Sequence, residues 1–307
     1  MRNKCLGAFL VFITIPLVAL SILLVSSFSF FRVEMYKELL TSSNAYEKIV
    51  LLIPRDNADD DLLNSIYKSV DAKWLKTNFE KNADLLFAFL NGKTNSFDFD
   101  VDISALKTDL HVAMPELKNL NLPDTLSVQS YQNVLNQLGK TLSDNKMDLQ
   151  EITNQLQNAE KFQAEFENNL KTTQTSIKFY KIGTYIVIGL TLILLCLIGI
   201  VSRYYPPAIL RFVGLTLLIP SGLLAIFTML TKNLLVNWYN PLTKIELSEP
   251  VRALINPIFN KLVANTTNQI IVISLVIAMI GILMTIGSFI WASLRPQATP
   301  VQTRPEV

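Results

Sequence analysis

Cysteine and histidine are almost missing from this chain, with two of the first and one of the second in 307 residues. Cys5 and Cys196 both fall at or inside apolar runs, so a disulfide framework is excluded as the source of stability. A lone histidine, His111, with no cysteine beside it cannot build a zinc site. No nucleophile motif accompanies it as a general base. G-x-S-x-G, H-E-x-x-H, the P-loop and the dinucleotide fingerprint G-x-G-x-x-G are all absent. No enzymatic activity, no cofactor and no resident metal are expected.

Charge is scarce as well. Soluble chains carry about 25% Asp, Glu, Lys and Arg, and this one carries 17%. The deficit is local, because 22 of the 25 acidic residues lie between Arg32 and Lys181. Across residues 33–178 there are 15 Lys and Arg against those 22 acids, a net of −7, which excludes a nucleic-acid surface.

Four long runs have no charge at all. They are Leu6–Phe31 (LGAFLVFITIPLVALSILLVSSFSFF), residues 182–202 (IGTYIVIGLTLILLCLIGIVS), residues 212–231 (FVGLTLLIPSGLLAIFTMLT) and residues 270–292 (IIVISLVIAMIGILMTIGSFIWA). A bilayer core takes about 20 apolar residues at ~1.5 Å each. Each run meets that length, so the fold class expected is a membrane all-α protein with four transmembrane helices. A secretory signal peptide would carry an apolar stretch of roughly 7–15 residues and a small-residue cleavage site. The first run is longer and lacks the site, so it is expected to remain as a helix.

Lys and Arg set the orientation. Arg2 and Lys4 precede the first run, Arg203 and Arg211 lie between the second and third, and Arg295 and Arg304 follow the fourth. These segments share one side, which places both termini in the cytoplasm and the protein in the plasma (cytoplasmic) membrane. Tyr204, Tyr205, Trp238, Tyr239 and Trp291 fall near run ends, as interfacial aromatics do. The expected organisation is then a first transmembrane helix at 1–32 and a mainly helical extracytoplasmic domain at 33–181. Helices two and three occupy 182–231 with a short cytoplasmic connector. A second extracytoplasmic loop takes 232–269, the fourth helix 270–292 and a cytoplasmic tail 293–307.

Within the extracytoplasmic domain, the absence of Gly and Pro from Phe31 to Ile53 predicts a stalk helix that continues the first span. Residues 71–90 form an amphipathic helix carrying Trp74, Phe79 and Phe89, closed by Asn91-Gly92. Residues 97–103, FDFDVDI, alternate strictly and predict a short β element. Phe97, Phe99, Val101 and Ile103 share one face, and Asp98, Asp100 and Asp102 the other. No pairing strand is evident, and residues 117–125 read as a loop. The aromatic face and Trp74 are expected to fill the domain's core, with Phe97, Phe99 and Trp74 as a docking surface in the rival reading. The acidic trio invites a calcium reading. However, an EF-hand counted from Asp98 needs Gly at position 6 and Glu at position 12, where Ile103 and Asp109 stand. A solvated acidic face is therefore expected.

From residue 130 onward the pattern is helical. Leu149, Leu156, Leu170 and Ile177 recur every seven residues, with Gln163 at the missing place. Ile152, Ala159, Phe166, Thr173 and Tyr180 form the companion row. A helix packed within its own domain and a self-associating coil both fit. In the second loop, residues 250–261 are amphipathic and suit either the membrane surface or the large domain. Pro220-Ser221-Gly222 predicts a kink in the third run. Gly281, Gly287, Ser274 and Ser288 predict close helix packing in the fourth.

Trp74-Leu75, FAFLNGKT and FDFDVDISALKTDL together resemble a segment of uncharacterised bacterial multi-pass membrane proteins with a helical extracytoplasmic domain. The resemblance covers residues 74–110 and the order of the spans, and it implies no activity. The expected partners are the lipid bilayer and a protein partner or a homo-oligomer. The expected role is binding of a partner or ligand outside the cytoplasm, as an envelope scaffold or accessory subunit. A small transporter or channel, as a monomer or an oligomer, is the alternative.

Overall fold

The computed structural model describes residues 2–53, 70–104, 107–108, 123–127, 133, 149–201, 206–238 and 248–294, with the backbone alone at 2–5, 126, 149–164 and 233–238. His111, the acidic break at 55–61, Pro115, Arg203, Tyr204, Tyr205, Tyr239 and the C-terminal tail lie outside the described residues. Helix α1 spans Arg2–Ser26 and passes through a 3₁₀ turn at Ser27–Phe31. It is followed by α2 (Val33–Ser42), α3 (Ala45–Leu52), α4 (Ala72–Leu90), β1 (Asp100–Asp102) and β2 (Thr125–Ser127). Three long helices complete the order: α5 (Leu149–Val201), α6 (Pro206–Trp238) and α7 (Glu249–Ser293). Four helical segments are long and apolar enough to cross a membrane: Leu6–Phe31, Glu165–Val201, Pro206–Lys232 and Glu249–Ser293. The chain divides into an apolar unit (Met1–Phe28, Ile182–Tyr239, Val263–Val307) and a polar unit (Ser29–Lys181, Asn240–Leu262).

In the apolar unit α1 and α5 run antiparallel. Phe28 meets Tyr185 at 6.2 Å, and the hydroxyls of Ser21 and Thr191 lie 3.1 Å apart. Helices α6 and α7 pair in the same sense, with Arg211 over the Phe289 ring and the Lys232 ammonium donating to Asn268 Oδ1 at 2.9 Å. The interior is built of small and hydroxylated residues. Helix α5 buries Thr184, Thr191 and Ile198, and α7 buries Thr267, Ser274, Gly281 and Ser288. Both series repeat every seven residues, the spacing of left-handed helix packing. Large apolar side chains such as Phe12, Ile186, Leu223 and Leu283 are exposed. That inversion of a soluble core suits helices whose outer solvent is hydrocarbon.

Gly281 and Gly214 set the closest approach. A Cβ on Gly281 would stand 2.7 Å from Gly214 O, and one on Gly214 would stand 2.5 Å from Thr285 Oγ1. Gly287, expected at a similar contact, has no atom within 4 Å of where its Cβ would be. Helix α6 continues through Pro220. The missing N–H frees one carbonyl, while Ser221 turns its hydroxyl back onto Leu217 O and Leu218 O.

The polar unit departs from the expected stalk. The helical course breaks at Arg32, which is extended (φ −107°, ψ 125°), and again at Ser43-Asn44, where Asn44 is left-handed at φ 51°. Asparagine tolerates that conformation better than most residues. The Ser42 and Ser43 hydroxyls donate to Leu39 O and Leu40 O, giving the closing turn of α2 an alternative to the next helical turn. Residues 250–261 belong to the polar unit and contact its other helices. Lys48 Nζ donates to Ala253 O at 3.4 Å, and Lys261 Nζ donates to Ser42 O.

Candidate partner-binding face

Helix α4 is fixed at both ends. Asp71 accepts from the Trp74 N–H at 2.6 Å as N-cap. At the other end Gly92 is left-handed at φ 73°, with Gly92 N–H to Phe89 O and Lys93 N–H to Ala88 O, both 2.8 Å. This is a Schellman closure. Between these ends Trp74, Asn78 and Asn82 recur every four residues and share one helical face.

That row pairs with the edge of β1. Asn82 donates to Asp100 O at 2.6 Å and accepts from Asp100 N–H at 2.8 Å. Asn78 accepts from Asp102 N–H at 2.6 Å, and the Trp74 indole N–H donates to Asp102 O at 2.8 Å. The match is metrical. Four helical residues rise ~6 Å, and two strand residues advance about 6.6–6.8 Å. Carboxamides four apart therefore meet the backbone of strand residues two apart. On its other edge β1 pairs antiparallel with β2, in the register Asp100↔Ser127, Val101↔Leu126 and Asp102↔Thr125. The ladder is shorter than the expected 97–103 strand. Its partner begins at Thr125, the end of a stretch whose sequence reads as loop.

The three aspartates do not converge. Asp100 pairs with Lys81 at 2.5 Å, and Asp98 is exposed. Asp102 accepts from the Ser104 hydroxyl at 2.6 Å and from the Ser104 N–H at 2.9 Å. The hydroxyl bond first, then the N–H bond, hold its carboxyl below the usual range. Among the described residues no three His, Cys, Asp or Glu side chains are placed to hold a metal ion.

The aromatic residues divide. Trp74 is half-buried, with its N–H committed to Asp102 O, and Phe97 is half-buried with its ring 6.2 Å from Phe166. Phe99 is 44% exposed and Phe79 is 41% exposed, so neither fills the core expected of it. Lys81 and Phe79 stand on opposite flanks of the Asn row, and Asp100 turns to the Lys81 flank. Phe99 stands one residue before β1 and is exposed, and Val101, within it, is half-buried. The core lies elsewhere, in Met35, Leu39, Ala45, Tyr46, Val50, Ala83 and Phe89. Tyr46 meets Phe79 edge to face at 6.0 Å, and burial, then the charge of Glu80, pushes its phenol up to about 12.

A second polar clamp closes the C-terminal end of α4. Gln174 of α5 donates to Phe89 O at 2.7 Å, Lys181 donates to Asn91 Oδ1 at 2.7 Å, and Asn91 donates to Phe31 O at 3.0 Å. A cation there also complements the helix dipole. Of the heptad rows, Ile177 is buried and Leu170 half-buried, whereas Phe166 and Thr173 of the companion row are exposed.

No family model, no curated protein and no solved structure matches this chain. Asn78 and Asn82 went unread in the sequence. Their only signal is the spacing Trp-x-x-x-Asn-x-x-x-Asn on an otherwise amphipathic helix, opposite a strand with polar residues at alternate places.

Proposed function

We propose that this protein spans the cytoplasmic membrane four times, holds its polar unit outside the cytoplasm, and binds another protein there as an envelope scaffold or accessory subunit. The docking face is the α4 flank carrying Phe79 and Phe99. The observation that carries this reading is the exposure of those two rings beside a rigidly held strand. Aromatic side chains on a preorganised surface are typical anchors of protein interfaces. Most of the chain's charged and polar residues lie in the same unit, and the short basic connectors favour its placement outside.

A photoreactive phenylalanine analogue at position 79 or 99, activated in native membranes, tests it. Both sites should yield one shared protein adduct, and the analogue at Lys73, exposed on another face of α4, should not. Adducts to lipid alone, or the same adducts from all three sites, would defeat the proposal. Solute flux through the purified protein in vesicles would favour the transporter or channel reading instead.

A further inference from the structure

The first apolar run ends at Phe31, and α5 enters the second just after Lys181. Within the polar unit these two ends are tied together. The Phe31 and Tyr180 rings meet edge to face at 5.4 Å, and the Lys181 ammonium lies 6.0 Å from the centre of the Phe31 ring. Asn91 completes the knot, accepting from Lys181 Nζ at 2.7 Å and donating to Phe31 O at 3.0 Å. Four cations belong to this knot or adjoin it. Arg32 follows Phe31, Lys93 stands two residues past Asn91, and Lys178 lies one helical turn before Lys181 on the same face. Arg32, Lys93 and Lys178 are exposed, and Lys181 is half-buried. Elsewhere in the unit carboxylates pair with Lys37, Lys76, Lys81 and Lys107. Among the described residues no carboxylate pairs with any of these four cations, although Glu34 and Glu38 stand exposed on α2 just beyond Arg32.

We infer that Arg32, Lys93, Lys178 and Lys181 hold the phosphate of an anionic phospholipid headgroup where these two spans leave the bilayer. Charge and level single out that ligand. Lys178 precedes the apolar run by four residues, about 6 Å along an α-helix. A bilayer of ~30 Å hydrocarbon and ~40–45 Å in all leaves roughly 5–8 Å of headgroup on each side. The cations therefore stand at the depth of the phosphates, and long basic side chains reach that layer readily. Phe179 and Tyr185, on the same stretch of α5, are 69% and 64% exposed, as rings beside lipid would be. Asn91 takes one of the three donors of Lys181, which leaves two for a phosphate. The inference rests on the membrane-spanning reading, but not on the Phe79–Phe99 face or on the side the polar unit faces.

The test uses the full chain in vesicles of equimolar phosphatidylcholine and phosphatidylglycerol, with a photoreactive phenylalanine analogue at position 179. Mass spectrometry of the adducts should show phosphatidylglycerol enriched about fivefold. Salt at about 1 M, where the Debye length is ~3 Å, should bring the two lipids near parity. Arg32→Gln with Lys178→Gln should do the same. Lys73→Gln with Lys171→Gln should not, since it removes equal charge from the far end of α4 and from ten residues before Lys181. Parity in the unsubstituted chain, equal loss in both double variants, or enrichment that survives Arg32→Gln with Lys178→Gln would each overturn the inference. Loss of the enrichment in millimolar inorganic phosphate would assign the cations to a free anion and overturn it too. Release of the protein from membranes by alkaline carbonate would defeat the spanning reading as well, whereas parity in a chain that resists release defeats this inference alone.

Discussion

The side chain of Asn82 pairs with both backbone groups of Asp100, donating at 2.6 Å and accepting at 2.8 Å, as a neighbouring strand would. Replacing it with Ala leaves an N–H and a carbonyl without these bonds, a cost of about 1–3 kcal/mol. Asn82→Ala should lower the denaturation midpoint by that equivalent, and Asn78→Ala should do likewise through Asp102. Asn82→Asp keeps an acceptor, loses the donor and adds a charge beside Asp100, so it should cost at least as much. Asn168→Ala, exposed on α5, should fall within about 0.5 kcal/mol of the parent. Chemical unfolding of the four variants in detergent checks the order.

Gly92 holds a left-handed backbone at φ 73°, and a Cβ there would meet nothing within 4 Å. The penalty for Gly92→Ala is therefore conformational alone, roughly 1–2 kcal/mol. Gly92→Asn should recover part of it, because asparagine tolerates this region. Thermal melting of the three proteins should rank them Gly, Asn, Ala.

Gly281 and Gly287 look alike in the sequence, but they have opposite surroundings. Gly281→Ala would drive a methyl to 2.7 Å from Gly214 O and 2.8 Å from Leu218 N, forcing α6 and α7 apart. Overpacking of this kind costs about 1–3 kcal/mol. Gly287→Ala meets open space and should be neutral or mildly stabilising, since alanine is the better helix former by about 1 kcal/mol. Heat-induced aggregation in detergent distinguishes the two.

Much of this fold was legible because it rests on strong periodic signals. Four uncharged runs give four helices long enough to span a membrane, and Asn91-Gly92 gives the end of α4. Less was legible where side chains replace backbone partners. The expected stalk from Phe31 to Ile53 contains no Gly or Pro, yet Ser42, Ser43 and Asn44 break it by local hydrogen bonding and a left-handed turn. The expected aromatic core at Phe79 and Phe99 followed from residue type and alternation, but the partner row on α4 proved to be Trp74, Asn78 and Asn82. This row grips the strand by its edge with polar groups, and Phe99, one residue before the strand, remains exposed.

Tyr46 is buried, and its phenol is pushed up to about 12, chiefly by burial and then by the charge of Glu80. The folded state thus favours the neutral phenol. The stabilisation is complete below the ordinary tyrosine range and is lost as pH rises from about 10 towards 12. Burial raises Tyr36 as well, so phenolate absorbance should show late ionisation from both, and Tyr46→Phe should remove its share and lessen the alkaline loss of stability. An unchanged titration in Tyr46→Phe would contradict the assignment.

The proposed binding role requires the polar unit outside the cytoplasm and both ends of the chain inside. In a chain with Cys5→Ser and Cys196→Ser, single cysteines at Asn168 and Thr303 report the two sides. A membrane-impermeant maleimide applied to intact cells should label Asn168→Cys fully and Thr303→Cys only after the membrane is opened. Labelling of position 303 in intact cells with 168 protected, or of both alike, would contradict the topology and the proposed binding role with it.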